Sequence, residues 1–255
     1  MFFTESLFMK SKLELQQLSL NLVAKHYNPA RITPDFLIAS GIIPQDWELA
    51  SKPMVAQNKV QFRFKNSLNI LAQPGRITFN EVINPDGLDK MEVAKVAHRY
   101  VKSLPAANYQ LLQISPVSIY NLGEESDAVR QLIIDALLAP SPWHSFGSTP
   151  VKAEINLLYQ LEHCKLNLKV DEVRLQKGED TTIAALLFAG DFDYSLVNID
   201  KETKLENLCQ VIDNWQQDVS LFQNKISQNI IKTAQAAISV QPGNLSHSEA
   251  EKVLH

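Results

Sequence analysis

The stretch from residue 58 to 83 constrains the fold more than any other part of this sequence. In NKVQFRFKN, apolar residues at 60, 62 and 64 alternate with polar ones, as a half-buried strand requires. LNILA and RITFNEVI follow with the same alternation, and the linker Gln73-Pro74-Gly75-Arg76 is typical of a type II turn, in which glycine accepts a positive φ. The stretch therefore predicts an antiparallel three-stranded meander whose core-facing residues are Phe62, Phe64, Ile70 and Phe79.

The rest of the chain predicts further strands and helices. A strand is expected at Leu18–Lys25, and another at residues 108–121 that must bend or bulge at Pro116, because proline cannot donate to the ladder. Helical spacing predicts helices at residues 89–104 and 127–138 and one long helix from 201 to 239. A second set of three strands is predicted at residues 151–162, 165–176 and 182–198.

These elements define an expected fold class and domain organisation. Strands clustered in runs favour an α+β fold, with an antiparallel sheet built from two three-stranded meanders, helices packed on one face and a long C-terminal helix. We expect one domain over residues 1–239, pseudo-duplicated with halves at about 13–121 and 122–239, and a flexible polar tail at 240–255.

Charge and cysteine content limit the environment and the partners. The formal net charge of −4 does not indicate nucleic-acid binding, although a local basic patch is compatible with it. The two cysteines, Cys164 and Cys209, form no CxxC pair and are expected to be free thiols in a reducing compartment. No apolar run is long enough to span a membrane, and the N-terminus lacks a basic segment typical of a signal peptide, so we expect a cytoplasmic protein.

Four segments carry a resemblance to known sequences. They are FRFKNSLNILAQPGRITFNE, SLPAANYQLLQISPVSIYN, DFDYSLVN and LCQVIDNWQQDVSLFQNKI, in that order between Phe62 and Ile226. Together they resemble a sporadically distributed family of uncharacterised bacterial proteins, with a general similarity to hypothetical proteins of cyanobacteria. The resemblance implies a fold and a strand register, and it supplies no catalytic residue.

The sequence offers few candidates for chemistry. It contains no phosphate-binding glycine loop, no GxSxG and no HExxH, and no cofactor is expected. Asp191 and Asp193, two residues apart on a strand, share a face and form a candidate site for a hard metal ion, or else part of a solvated face. Three basic residues of the first meander form a candidate anion contact, or else part of a solvated sheet face. They are Arg63, Lys65 and Arg76.

Aromatic and apolar residues indicate possible contact surfaces. Trp143 and Phe146 lie in a proline-rich loop. Along the predicted C-terminal helix, apolar residues recur in a seam with a period close to 3.5 residues. The first half of the helix is expected to pack on the sheet, and the second half against a second copy, or else against the N-terminal segment around Phe2, Phe3 and Phe8. The seam residues chosen as interaction candidates are Trp215, Phe222, Ile226 and Ile230.

Two classes of function remain open at this point. We expect a non-enzymatic protein–protein interaction or scaffold protein, homodimeric and with an unidentified protein partner, because catalytic motifs are missing and the terminal helix is long. The alternative is a small-ligand or metal-dependent enzyme with a carboxylate site at the sheet edge, since active sites are assembled in space rather than in sequence.

Overall fold

A computed structural model describes residues 12–83, 87–121, 129–130, 132–138, 142–148, 151–177 and 181–233. Its centre is one nine-stranded sheet, in which every neighbouring pair of strands is antiparallel. Numbered along the chain, the strands lie side by side in the order β2-β3-β4-β5-β1-β6-β9-β8-β7. Their bounds are β1 Leu13–Lys25, β2 Met54–Ala56, β3 Lys59–Arg63, β4 Leu68–Gln73, β5 Arg76–Val82, β6 Asn108–Asn121, β7 Ile155–Gln160, β8 Lys165–Lys177 and β9 Thr181–Ser195.

Helices occupy the connections and the C-terminal part. The α-helices with both ends among the described residues are α1 Pro34–Ala39, α2 Val93–Ser103, α3 Lys201–Asp213 and α4 Trp215–Lys225. Two six-residue π-helical segments are Leu132–Leu137 and Ile226–Ile231. Short 3₁₀ turns lie at Pro29–Arg31, Leu88–Lys90 and Pro142–Ser145.

The order of elements repeats along the chain. A long strand (β1, then β6) is followed by a helical excursion, a meander and a helix (α2, then α3). The two long strands pair with each other at the middle of the sheet, through residues from Leu13 opposite Tyr120 to Lys25 opposite Asn108.

Helices α2 and α4 pack against the same face of the sheet. The ring of Phe79 on β5 lies 5.3 Å from that of Tyr100 on α2. The carboxylate of Glu81, on the same face, accepts hydrogen bonds from the backbone N–H groups of Glu92 and Val93 at 2.8 and 2.7 Å, where α2 begins. These bonds satisfy donors that have no partner within the helix.

The core prediction for the first meander is confirmed. Phe62, Phe64, Ile70 and Phe79 are all buried. Gly75 in the predicted type II turn has a φ of 75°, a value that favours glycine.

The expected fold class is wrong in two respects. The strands do not form two separate three-stranded meanders, because β1 and β6 join both groups into one sheet. No long C-terminal helix forms over the described residues: α3 ends at Asp213, and Asn214 has a φ of −91° and a ψ of 10°, outside the helical values that precede it. A new helix starts at Trp215 and gives way to π-helical geometry at Ile226.

Near Pro116, where a bend or bulge is predicted, the pairing of β6 with both of its neighbouring strands is irregular. The register between β1 and β6 shifts between Leu15 and Gln17, next to the Leu18–Pro116 pair. On the other side, the β6–β9 pairing stops at Ile114 and resumes at Val117, since Pro116 has no N–H to donate. Residues 240–255, predicted as a tail, lie outside the described residues.

Candidate functional site

The face of the sheet opposite α2 and α4 carries a ladder of hydrogen-bonded polar side chains. Thr78 on β5 donates to Asn21 on β1 at 2.6 Å, and Asn21 donates to Gln113 on β6 at 3.1 Å. Gln113 in turn donates to Asp193 on β9 at 2.8 Å, while Ser115 donates to Asp191 at 2.6 Å. We call these six residues the polar ladder, and it ties together four adjacent strands.

Asp191 and Asp193 lie together on one face, as their spacing predicts, but not at the sheet edge. β9 is separated from the nearer edge by β8 and β7. Each carboxylate already accepts a hydrogen bond from β6, and Lys165 on β8 is the residue paired with Asp193. Within the described part of the chain, no three His, Cys, Asp or Glu side chains cluster as a metal site requires. Metal binding by the two aspartates stays a prediction.

The β7 edge is the most distinctive surface of the sheet. Its sequence, INLLYQ, contains no charged residue and no proline. β8 pairs with one side of β7, and no described strand pairs with the other. Leu158 is 72% exposed and Tyr159 42% exposed, so large apolar side chains stand beside backbone groups that no described strand pairs.

An apolar groove adjoins this edge. A cavity of about 180 Å³ lies between the β7–β8 hairpin and the C-terminal helical segments. Tyr159 contributes to its wall from β7, and Lys225 and Asn229 are its polar residues. The remaining lining is apolar and consists of Leu161, Leu166, Leu168, Leu221, Phe222, Ile226 and Ile230.

The opposite edge of the sheet is built differently. β2 has only three residues and follows Lys52 and Pro53, while Lys59 begins the next strand after a two-residue turn. Short length, proline and lysine are the features by which natural sheets protect an edge from pairing with other chains. The two edges therefore differ in their capacity to add a strand.

The candidate interaction residues of the C-terminal segment are buried inside the chain's own core. Trp215, Phe222, Ile226 and Ile230 are all less than 9% exposed, and Phe222 packs directly over Gly190 on β9. The 3.5-residue spacing thus indicates packing on the sheet in this structure. The two loop aromatics, in contrast, are exposed to solvent. Trp143 is 39% exposed and Phe146 is 96% exposed.

The three basic candidates are not brought together as one anion site. Arg63, at the end of β3, and Arg76, at the start of β5, pair with opposite ends of β4, at Asn69 and Gln73. Lys65 forms an ion pair with Glu48, and both side chains are exposed.

One half-buried polar pair was not predicted from the sequence. The hydroxyl of Tyr194 on β9 lies 2.8 and 2.9 Å from the two carboxylate oxygens of Asp218 on α4. Burial raises the pKa of Asp218 to about 6, and the hydrogen bond from Tyr194 opposes that rise. Burial also raises the pKa of the nearby Cys164 thiol. The pairing joins residues on different elements, and no local spacing in the sequence signals it.

Comparisons with known proteins do not assign the chain to a family. No family model matches the chain, and no curated protein matches it. The resemblance to an uncharacterised bacterial family therefore stays a prediction. None of the described helices combines the length and the hydrophobicity that crossing a membrane would demand.

Proposed function

We propose that this chain is a non-enzymatic protein-interaction or scaffold protein that associates with a second copy of itself through the β7 edge. The observation that supports this proposal is the contrast between the two ends of the sheet. β7 offers six uncharged residues whose outer side pairs with no described strand, whereas β2 is short and flanked by lysines and proline.

The physical argument starts from unpaired backbone groups. An edge strand presents N–H and C=O groups in a row, and a strand from another chain can satisfy them. Six residues of strand span about 20 Å, which is the usual length of a strand in a sheet. A second β7 has the same length and the same lack of charge, so two copies can pair antiparallel without placing like charges opposite each other.

The exposed side chains favour a second copy over an unrelated extended peptide. A two-fold axis through the middle of β7 would bring Leu158 of each copy near the other copy's β7 and cover apolar surface that is now exposed. The same axis would bring the second copy close to the groove beside Tyr159. Self-complementary contacts of this kind are characteristic of two-fold dimers, the commonest symmetric assembly. Phe146, nearly fully exposed upstream of β7, is a further residue that a partner could cover.

Light scattering on the full chain at micromolar concentration tests the proposal. Leu158→Lys places a charge on the exposed edge and is expected to give a monomer, because edge lysines oppose strand pairing. Val55→Lys is the matched control, since Val55 is 73% exposed and lies on the opposite edge strand. The unchanged chain and Val55→Lys are both expected to be dimers.

Two results would overturn the proposal. A monomeric unchanged chain at these concentrations excludes stable self-association through any surface. A dimer that survives Leu158→Lys would contradict an interface at β7. Loss of that dimer in Val55→Lys would place the interface at the opposite edge, at β2. Circular dichroism of both variants establishes that each retains the fold.

The proposal includes a cytoplasmic location. Cys164 and Cys209 are both buried free thiols, as expected from the sequence, and unpaired cysteines are typical of a reducing compartment.

A further inference from the structure

A cavity lies at one end of the central strands, at the end of β1. It has a volume of about 700 Å³ and is formed by the end of β1, the turn that follows it, α1 and the loop between α2 and β6. That volume falls within the range of about 300–1,000 Å³ that is usual for small-molecule sites. We call it the Tyr27 cavity, after a residue in its wall.

The walls of the Tyr27 cavity are largely apolar. Phe36 comes from α1, Ile32 from the segment before it, and Leu104 from the end of α2. Three successive small residues, Pro105, Ala106 and Ala107, form the loop side. A ligand that fills this space must therefore carry an apolar body.

The charged groups of the cavity all have the same sign. Lys25 and Arg31 line it together with His26, and no carboxylate is among its described lining residues. Within the described part of the chain, Lys25 and Arg31 form no ion pair. Because the chain as a whole carries a formal charge of −4, this local excess of positive charge is not a consequence of overall composition.

A second, smaller cavity extends the same pattern. It measures about 360 Å³ and shares the loop from Pro105 to Asn108 with the Tyr27 cavity. Lys201 and Lys204, from the first turn of α3, line it, and no described carboxylate does. Two adjoining cavities thus present cations and no described anion around one apolar loop.

Tyr27 lines the cavity, but its hydroxyl is not open to it. Its hydroxyl is shielded from solvent beside Tyr100 and makes no hydrogen bond of good geometry with a described residue. Burial raises its pKa to about 12, so it remains a protonated donor at neutral pH.

We propose that the Tyr27 cavity binds a small amphiphilic organic anion, a carboxylate with an apolar body, with its charge at Lys25 and Arg31. The apolar walls take the body of the ligand, and the cations at the rim neutralise its charge. This binding site is separate from the β7 interface, so neither proposal depends on the other.

Calorimetric titration of the full chain with octanoate tests the inference. Octylammonium has the same chain length with the opposite charge, and acetate has the same charge without the apolar body. Octanoate is expected to bind at a single class of site, and the other two probes are expected to give no binding. Equal binding of octylammonium would overturn the assignment, as would no binding of octanoate at millimolar concentration.

Three variants locate the site. Lys25→Gln/Arg31→Gln is expected to weaken octanoate binding at least about tenfold, because both cations are removed. Lys165→Gln/Arg174→Gln, which removes two exposed cations on β8, is the matched control and is expected to bind as the unchanged chain does. Ala106→Trp fills the cavity from an exposed loop position and is expected to abolish binding. Unchanged affinity in the first and third variants would overturn the proposal, and circular dichroism verifies the fold of each.

Discussion

At Gly190, the ring of Phe222 on α4 packs directly against the backbone of β9. A Cβ atom placed there would lie 2.7 Å from two ring carbons of Phe222, closer than any ordinary contact. Gly190→Ala is therefore expected to lower the free energy of unfolding by about 1–3 kcal/mol, the usual effect of overpacking a core. Urea denaturation measures this change.

The cause of that loss can be checked with a second substitution. Phe222→Leu creates space above Gly190, so the double variant should lose less stability than the two single variants together. Strictly additive losses would show that a clash with Phe222 is not the reason that Gly190→Ala lowers the stability.

The two aspartates of the polar ladder provide a second test at the residue scale. If Asp191 and Asp193 bind a hard metal, calorimetric titration with magnesium, manganese or calcium should release or absorb heat, and Asp191→Asn/Asp193→Asn should abolish that signal. The asparagines keep oxygen acceptors for Gln113 and Ser115, so the double variant is expected to fold. Absence of heat at millimolar metal in the unchanged chain would contradict metal binding.

Burial of Asp218 makes the contact between α4 and β9 sensitive to pH. The pKa of Asp218 is raised from its ordinary 3.8 to about 6, so the folded chain holds this proton more tightly than the unfolded chain does. The stability contributed by the protonated group is full below about pH 4 and is lost as pH rises to about 6. Glu81, whose pKa is raised mainly by burial, contributes in the same direction.

Denaturation at a series of pH values tests this dependence. Asp218→Asn is expected to reduce the fall in stability between about pH 4 and 6, leaving the part due to Glu81. Tyr194→Phe removes the hydrogen bond that lowers the pKa of Asp218, and it should extend the fall to higher pH. A pH profile that neither substitution changes would contradict the role of this pair.

Elements with regular periodicity could be predicted closely from the sequence. β6 has the predicted bounds of 108–121, and β8, predicted at 165–176, extends one residue further. In both strands the buried and less buried residues alternate without interruption over most of their length. Local alternation is sufficient to identify such strands, because it reflects only which face is covered.

Elements whose geometry changes partway were predicted less well. β1 begins at Leu13 rather than Leu18, and the register shift near Leu15 interrupts its alternation. The C-terminal segment keeps apolar residues three or four apart across Asn214, although the helix breaks there. Spacing in the sequence does not show such a break, since buried apolar residues continue at the same spacing through both helices.

At the scale of the whole molecule, the sheet depends on contacts between distant parts of the chain. Asn21 and Gln113, which join β1 to β6, are 92 residues apart. Neither strand carries a local signal of its partner, so two meanders were predicted where one sheet forms. The candidate site has the same limitation: INLLYQ was recognised as part of a strand, but its position at the edge follows only from the complete strand order.

Hydrogen exchange at low and high protein concentration tests the arrangement of the whole sheet and its proposed dimer together. Amides of β1 and β6, at the centre of the sheet, are expected to exchange slowly at both concentrations, because their opening requires disruption of the core. Outward amides of β7 should exchange quickly when dilute and slowly when concentrated, since pairing with a second copy supplies acceptors. β2, at the protected edge, is expected to show no such change. Slowing at β2 instead of β7 would contradict the proposed interface, and fast exchange in β1 and β6 would contradict the central pairing itself.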